Sequence, residues 1–535
     1  MKASATRIRP SEIRRIREKS RCYPPRPGFD PQPPAYAWTL QAGGRRARGC
    51  VHLELEKPGA DLGRRNPADC KRLVGYGNAV TGYEATRMRH VQRMLALLPG
   101  HLERLRWSSD RLREERTRRL RELVTVAKER SPWHGERLAD VDEQTLDEDT
   151  LGELPTMDKA QLMENFDRIV TDRRVTLAAA NDHIASLRTD AYFLGDLHAV
   201  ASGGSSGVRG VFVWDWEGWT AVRLVALRQQ LADRLADPEL AAKPPVGMVV
   251  AANNATHFTT ASAETFDTAA VPIHRIPIGL PLPTIVGTLN EVDGDGLATY
   301  PSMLSALVGE ARSGRLRIRP RRIMTMAEPL FDEIREAAEQ TWEAPVANMW
   351  GTSEAGVVGI GCFAERGMHL ADDQVIVEAV DAHGRPVPPG VTSHKVRVTN
   401  LANALQPLIR YEITDQVVLL DQACSCGSAH RRVADIQGRL DDEFAYDDGI
   451  RVHPHVFRSV LVREPAVTEY QVHQTSDGAE ILLRHETPVD SDALATSVVV
   501  ALGNVGLAHA RVTVHSVDSI PRLGSGKVKR FVPKR

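Results

Sequence analysis

Cysteine, aromatic residues and long apolar runs are all scarce in this sequence. Six cysteines in 535 residues, without regular spacing, exclude the disulfide framework of small secreted domains. The longest weakly polar run, residues 497–510, is shorter than the roughly 20 apolar residues that cross a bilayer. Lys and Arg (68) balance Asp and Glu (69), so the basic field that nucleic-acid and membrane-surface proteins need is missing. The Arg-containing start has no apolar segment of a signal peptide. We therefore expect a cytoplasmic protein with no nucleic-acid and no membrane partner.

The texture of the sequence changes twice along the chain. Residues 1–87 are rich in Arg and Pro and have no helical or strand period, so we predict an extension that is disordered or precedes a true start at Met88. Residues 88–438 have the pattern of a large α/β domain with mixed sheets covered by helices. Residues 439–535 have the pattern of a small α+β domain, and the charged segment 437–442 predicts a linker between the two.

Predicted strands and helices alternate in residues 297–350, and this order indicates which loops belong to a site. Strands are predicted at 297–300, 322–326 and 346–350, with helices between them, which indicates a largely parallel sheet. Because ligands bind at the carboxyl ends of such strands, the loops 327–329 and 351–354 are candidates for one site.

A loop rich in Gly and Ser offers backbone N–H groups and hydroxyls to a polyphosphate. Its candidate residues are Ser202, Gly204, Ser205, Ser206 and Gly207. The flanks, 198–201 and 211–214, are predicted strands, so a plain surface hairpin is the alternative.

The segment Trp350-Gly351-Thr352-Ser353-Glu354 follows a predicted buried strand. Its carboxylate can hold a phosphate-bound Mg²⁺, and its indole can stack on a nucleobase. The alternative is a helix start, with a hydroxyl as N-cap and the Glu in the first turn.

Three later segments carry charged residues suited to nucleotide chemistry. Asp415 can accept both hydroxyls of a ribose, although a lone Asp there is also typical of a turn. Arg439 offers a planar donor fork, with Asp441 close behind it. Lys527, in a Gly-Ser-Gly-Lys loop, can stabilise charge that develops when a carboxylate attacks an α-phosphate; a solvated basic tail is the alternative.

Cys424 and Cys426 form a Cys-x-Cys pair with His430 nearby in the sequence. With Cys362 approaching in space, they predict a tetrahedral Zn²⁺ site. The alternative is a turn with free thiols.

The order of these motifs resembles the adenylate-forming superfamily of acyl- and aryl-CoA ligases. Thr299-Tyr300-Pro301-Ser302, Ala327-Glu328-Pro329 and Cys424-Ser425-Cys426-Gly427 are similar to the phenylacetate–CoA ligase branch. The resemblance covers roughly residues 105–535.

The resemblance implies a role for each matching residue and a mobile small domain. Departures from the family pattern are Val208-Arg209 in place of Lys-Pro, Glu412 in place of Arg and Thr414 in place of Gly. The implied roles are phosphate binding for Gly204 to Gly207, an adenine frame from Ala327, Glu328, Pro329 and residues 348–350, Mg²⁺ binding for Glu354, ribose binding for Asp415 and Arg439, adenylation for Lys527, a hinge at Asp441 and an acyl-pocket border at His257.

The implied reaction joins a carboxylic acid to AMP from ATP and then passes the acyl group to coenzyme A. Apolar residues near His257, at 276–282 and at Met349 favour an aromatic or apolar acid. The alternatives are transfer to an amine or a carrier protein, or a catalytically weak relative that binds nucleotide.

Overall fold

The computed structural model describes residues 82–202, 209–267, 272–292, 294–436, 438–447, 449–461, 463–464, 466–485, 487–523 and 526–534. Gly204, Ser205, Ser206 and Gly207 of the predicted phosphate loop lie outside these residues, as does the segment 1–81.

Helices cover the sheets, and polar side chains explain where many of them begin. Ser131 ends one helix and caps the next: its Oγ accepts from His134 N, and Pro132 occupies the first helical position. Asp215 and Asp490 cap two further helices. The helices are α1 (Gly82–Arg104), α2 (Ser109–Arg130), α3 (Pro132–Arg137), α4 (Lys159–Glu164), α5 (Phe166–Ile169), α6 (Leu177–Ser186), α7 (Trp216–Ala236), α8 (Pro238–Ala241), α9 (Phe258–Thr265), α10 (Leu282–Asn290), α11 (Pro301–Arg312), α12 (Asp332–Trp342), α13 (Pro454–Leu461) and α14 (Ser491–Asn504). Two short 3₁₀ turns lie at Leu151–Glu153 and Leu440–Asp442. Across the described residues, no helix combines the length and the apolarity of a membrane span.

The strands of the large domain include the five predicted at 198–201, 211–214, 297–300, 322–326 and 346–350, with ends that differ by at most two residues. They are β1 (His198–Ala201), β2 (Val211–Trp214), β3 (Gly247–Ala251), β4 (Ile273–Pro277), β5 (Gly296–Thr299), β6 (Arg322–Met326), β7 (Val346–Thr352), β8 (Gly356–Ile360), β9 (Met368–Leu370), β10 (Val375–Val380), β11 (Lys395–Asn400), β12 (Tyr411–Ile413), β13 (Asp415–Gln416), β14 (Leu419–Leu420), β15 (Arg432–Val433) and β16 (Gly438–Arg439).

Among the described residues, the main sheet has the order β14-β15-β9-β8-β7-β6-β5-β3-β4. The five neighbouring strands β4, β3, β5, β6 and β7 are parallel, as the strand–helix alternation predicts. The pairs from β7 through β8, β9 and β15 to β14 are antiparallel. Helices α10, α11 and α12 connect the parallel strands and share an apolar core with them, centred on Leu297, Leu304 and Ile323. The carboxyl ends of β5, β6 and β7 therefore meet at one edge, as predicted.

The large domain begins before the predicted boundary at residue 88. Helix α1 starts at Gly82, so Met88 lies inside it. Tyr83 Oη donates to Asp190 Oδ2 at 2.7 Å, and Arg87 Nη1 donates to the Asp267 carbonyl at 2.7 Å. Residues 82–87 therefore belong to the folded domain, because these long-range bonds fix them to it.

The small domain has its own sheet and apolar core. Strands β17 (Phe444–Ala445) and β18 (Arg451–Val452) form a hairpin, and β19 (Val467–Gln474), β20 (Gly478–His485), β21 (Arg511–Ser516) and β22 (Phe531–Val532) form a sheet in the order β21-β20-β19-β22. Phe444, Phe457 and Phe531 pack together at its centre. At the boundary between the domains, β16 pairs with β13 of the large domain. This pairing fixes the backbone of Arg439 to the large domain.

Candidate active site

A cavity of about 120 Å³ lies at the edge where the parallel strands end. Helices α7 and α9, the ends of β3, β6 and β7, and the C-terminal loop all contribute to it. We call it the central cavity. Its lining residues are Val222, Arg223, Ala226, Ala252, His257, Phe258, Thr259, Thr260, Ser262, Tyr300, Met326, Ala327, Met349, Gly351, Thr352, Ser353, Gly356, Val357 and Lys527. The structure thus brings the predicted residues His257, Ala327, Gly351, Thr352, Ser353 and Lys527 to one place.

Lys527 reaches the central cavity from the small domain. Its loop closes as a tight turn, with Leu523 N donating to Lys527 O at 2.9 Å and Gly526 N donating to Leu523 O at 2.7 Å. Gly526 has φ of +76°, and a Cβ there would overlap Ile278, so only glycine fits. Burial is the main cause of a lowered pKa at Lys527, and the nearby Arg439 charge acts in the same direction.

Glu328 holds the loop that carries Lys527. Its Oε1 accepts from Val528 N at 2.9 Å and from Ser302 Oγ at 3.1 Å, and its Oε2 accepts from Ser302 N at 3.0 Å. Arg522 of the small domain donates to Ser302 Oγ at 3.1 Å. The carboxylate therefore joins the first turn of α11 to the residue after Lys527. The predicted place of Glu328 in an adenine frame stays a prediction. Its neighbour Ala327 lines the central cavity with φ of +71°.

Asp415 is fixed by two donors at the start of the linker. Trp350 Nε1 donates to its Oδ2 at 2.8 Å, and Arg439 Nε lies 2.6 Å from its Oδ1. The Asp415 charge raises the pKa of Arg439 further. Trp350 is only 5% exposed and packs in the core, where it positions Asp415. The predicted stacking of this ring on a base stays a prediction.

Glu354 lies in a tight turn between β7 and β8. Thr352 Oγ1 accepts from Ala355 N at 3.0 Å and closes this turn, so the alternative of a helix start is wrong. Glu354 Oε1 is 3.9 Å from Lys159 Nζ. Its carboxylate, together with those of Asp415 and Glu328, acts against the lowering of the Lys527 pKa, so these charges face the same region.

The segment around the predicted hinge is tied to β12 and β13. Thr414 Oγ1 donates to Asp441 Oδ2 at 2.9 Å, and Leu440 N donates to Thr414 O at 2.9 Å. Glu412, which departs from the family pattern, is paired with Lys395 (2.5 Å) on β11. That ion pair, within the β11–β12 ladder, accounts for the acidic residue at this position.

His257 and Arg223 are two titratable groups that line the central cavity. Burial, followed by the charges of Lys527 and Arg209, lowers the pKa of His257 to about 4, so its ring is neutral near pH 7. Burial lowers the pKa of Arg223 to about 10, and among the described residues its buried Nε has no hydrogen-bond partner. Sequence reasoning missed Arg223, because one Arg in an amphipathic helix gives no signal. Met349 lines the cavity, whereas residues 276–282 do not.

Ser202 and Pro329 complete the predicted nucleotide residues. Ser202 N donates to Gly210 O at 2.9 Å and its Oγ accepts from Gly210 N at 2.8 Å, which closes the base of the β1–β2 hairpin around the Gly/Ser loop. Pro329 lies between Glu328 and the buried Leu330, in the loop that leaves β6.

The cysteines predicted to bind zinc lie next to His369 and not next to the predicted His430. Cys424 and Cys426 lie with Cys362 and His369, and one ligand atom from each falls within 4.8 Å of all the others. His430 is not a member: its ring nitrogens lie 3.0 Å from Leu370 O and 3.2 Å from Arg104 O. The cluster contains Cys362, as predicted. The prediction that His430 belongs to it is wrong.

The fold and the motif residues define the class of protein that this chain resembles. No family model matches the chain. It is 30% identical over 239 residues to the phenylacetate–coenzyme A ligase of Thermus thermophilus, which is 39% of this chain and 53% of the relative, so the match spans about half the length of that curated protein.

Solved structures extend the comparison to most of the chain. The 2-hydroxyisobutyryl-CoA ligase in the postadenylation state, in complex with R3-HIB-AMP, has a TM-score of 0.63 at 18% identity, covering 80% of this chain and 91% of that one. The same enzyme with 2-HIB-AMP and CoA in the thioesterification state has a TM-score of 0.51 at the same identity and coverage. The chain therefore has the fold of the adenylate-forming CoA ligases, which confirms the predicted fold class.

Proposed function

We propose that this chain activates a carboxylic acid with ATP to an acyl-adenylate and then transfers the acyl group to coenzyme A. The observation that carries the proposal is the place of Lys527. A lysine from the small domain enters a cavity at the carboxyl ends of the parallel strands, facing the Asp415–Arg439 pair. Similarity to a phenylacetate–coenzyme A ligase supports the same reaction.

In the first step, a carboxylate oxygen of the acid attacks the α-phosphorus of ATP. A bond forms between the carboxylate oxygen and the α-phosphorus. The bond from the α-phosphorus to the bridging oxygen of the β-phosphate breaks, so pyrophosphate leaves with the electron pair. Lys527 stabilises the negative charge that grows on the α-phosphate oxygens. It is a cationic donor inside the cavity, where the low dielectric constant strengthens the interaction. Asp415 and Arg439 would hold the ribose.

Magnesium and the phosphates would occupy the side of the cavity next to the β7–β8 turn. Glu354, in that turn, would supply the hard oxygen ligand that Mg²⁺ prefers. Thr352 and Ser353, which line the cavity, would supply hydroxyls. When bound, Mg²⁺ supplies positive charge to the leaving pyrophosphate. Gly204, Ser205, Ser206 and Gly207 are proposed for the β- and γ-phosphates on their composition alone.

In the second step, the thiolate of coenzyme A attacks the acyl carbon. The C–S bond forms, AMP leaves with the electron pair of the C–O bond, and the thiol proton passes to water. This attack needs Lys527 out of the cavity, so the small domain must rotate. We place the hinge at Asp441, directly after the last ladder that ties the linker to the large domain.

The lining of the central cavity favours an acid that is mainly apolar and carries one hydrogen-bond acceptor. Phe258, Met349 and Val357 provide apolar contacts, and His257 borders them as a neutral ring. Arg223 brings a cation to the same wall. An aromatic acid with a hydroxyl, carbonyl or second acidic group would supply the acceptor that Arg223 Nε lacks among the described residues.

An acid-dependent exchange of labelled pyrophosphate into ATP tests the first step directly. A panel of aryl and alkyl carboxylic acids, each with and without a polar substituent, identifies the substrate class. Release of an acyl thioester on adding coenzyme A, detected by mass spectrometry, tests the second. Exchange without a thioester would make an amine or a carrier protein the acceptor. No exchange with any acid, despite ATP binding, would refute the enzymatic proposal in favour of a nucleotide-binding relative.

A further inference from the structure

We propose that Cys362, His369, Cys424 and Cys426 form a structural Zn²⁺ site with Cys₃His ligands. These four residues come from two parts of the chain that are far apart in the sequence. Cys362 follows β8, and His369 lies in β9. Cys424 and Cys426 lie in the connection between β14 and β15, and β15 pairs with β9 so that Arg432 is opposite His369.

The distances match the edges of a metal tetrahedron. Cys362 Sγ is 3.6 Å from Cys424 Sγ, and Cys426 Sγ is 3.3 Å from His369 Nε2. A tetrahedral site with Zn–S of about 2.3 Å and Zn–N of about 2.05 Å has S–S edges of about 3.8 Å and S–N edges of about 3.6 Å. A disulfide would need the sulfurs at about 2.05 Å and would leave the imidazole and the third thiol without a role.

The histidine is oriented as a metal ligand requires. His369 Nδ1 lies 3.3 Å from the His430 carbonyl, so Nδ1 carries the proton and donates it there. Nε2 is then left with its lone pair directed at the three sulfurs. This second bond to a backbone carbonyl is the usual support of a zinc-bound imidazole. His430 cannot replace it, because its own ring nitrogens contact carbonyls.

The loops around the cluster are also joined to each other. Gly427, with φ of +81°, closes the Cys-x-Cys turn by donating from its N–H to Cys424 O at 3.0 Å. Ser425 N donates to Glu365 Oε1 at 2.8 Å, and Arg432 lies 3.0 Å from the same carboxylate. Cys362 and Cys424 are each only 6% exposed. His369 is also buried, and Cys426 is exposed. Four protein ligands indicate a structural site with no open position for a substrate.

Soft thiolates with one imidazole in a tetrahedron favour zinc over magnesium or calcium. Zinc there would fasten a connection whose strands are only two residues long, β14 and β15. The connection lies within the segment from Asp415 in β13 to Arg439 in β16, and these two residues pair with each other, so both proposed ribose contacts stand at the base of that segment. The metal would thus support the nucleotide side of the central cavity from behind.

Metal analysis of the full chain, purified without a histidine tag, tests the proposal independently of any ligase activity. We expect about one zinc per chain by plasma mass spectrometry, and its release on thiol modification should follow the loss of three reactive thiols. Cys426→Ser and His369→Gln should lose most of the zinc and melt at a lower temperature. Two controls should keep it: His430→Gln, and a variant with Cys22, Cys50 and Cys70 all replaced by Ser.

Cobalt substitution of the unmodified chain covers the case in which the ligand variants fail to fold. We expect the intense visible bands of tetrahedral Co²⁺ together with thiolate-to-metal charge transfer. Iron in place of zinc, a disulfide among Cys362, Cys424 and Cys426 by non-reducing mass spectrometry, or a chain that neither contains nor takes up metal would each overturn the proposal. So would full zinc content in both Cys426→Ser and His369→Gln.

Discussion

Replacing Glu328 with Gln should slow adenylation selectively, because this carboxylate holds the residue after Lys527. Its two oxygens face donors on both sides, Val528 N and Ser302 Oγ on Oε1 and Ser302 N on Oε2. An amide has one oxygen and one NH₂ group. In either orientation of Gln, the NH₂ group therefore faces a backbone N–H, and one of the two backbone hydrogen bonds is lost.

The magnitude follows from the bond that breaks. A hydrogen bond to a charged acceptor contributes about 1.5–3 kcal/mol, and about 1.4 kcal/mol corresponds to a factor of ten. When the bond to Val528 is the one lost, the population with Lys527 in the cavity falls by about 10- to 100-fold. We expect Glu328→Gln to lower acid-dependent pyrophosphate exchange by that factor. Thioester formation from preformed acyl-adenylate needs Lys527 withdrawn, so it should change by less than about threefold.

A matched control uses a second charge at the same domain boundary. Glu333 of α12 pairs with Arg458 of α13 at 2.9 Å, away from the Lys527 loop, and its carboxylate is 34% exposed. Glu333→Gln should cost at most about 1 kcal/mol, or about fivefold in exchange. Equal slowing by the two variants would assign the effect to general docking of the small domain. Unchanged exchange in Glu328→Gln, or equal loss of both half-reactions, would refute the reasoning.

Three further predictions concern the hinge, the acyl side and the start of the chain. Asp441→Pro should keep much of the single-turnover pyrophosphate release and lose acyl-CoA formation, because proline fixes φ near about −65° and hinders rotation; equal retention of both steps would move the hinge elsewhere. Arg223→Leu should lower kcat/KM for acids with a polar acceptor by about 10- to 100-fold relative to their unsubstituted analogues, and an unchanged ratio would exclude this contact. A chain that starts at Gly82 should melt like the full chain, whereas one that starts at Met88 loses the Tyr83 hydrogen bond and about 1 kcal/mol, a lower Tm by about 2 °C; equal Tm values would contradict the role of the first turn of α1.

The spacing of apolar residues, together with the turn residues that bound each run, predicts several strands of the large domain. Apolar runs of strand length correctly predict Arg322–Met326 and the two flanks of the Gly/Ser loop, His198–Ala201 and Val211–Trp214. The Thr-Ser-Glu segment was ambiguous, because the same residues that cap helices also close tight turns. Only the pairing of β7 with β8 decides between the two.

The contacts that hold the site together could not be predicted, because they join residues distant in sequence. Trp350 donates to Asp415, 65 residues later, and Glu328 accepts from Val528, 200 residues later. The choice of His369 over His430 depends on which strand β15 pairs with, a fact that spacing does not contain. The predicted nucleotide roles of Asp415, Arg439 and Lys527 stay predictions until ligand binding is measured.

The order in which this chain leaves the ribosome matters for how its N-terminal helices become buried. His134 Nε2 bonds to Pro407 O across 273 residues, and Met157 N bonds to Arg410 O while Glu412 N bonds back to Met157 O. Arg410 further donates to the carbonyls of Gly152 and Leu154. The segment 131–157 therefore lacks these hydrogen-bond partners until about three quarters of the chain has been synthesised, since they lie at residues 407–412. Its apolar partners in α2 precede it in the chain. Such high sequence separation slows folding of the large domain, and the part of the α2 cluster that Ile376, Leu401 and Ile409 cover stays exposed during translation.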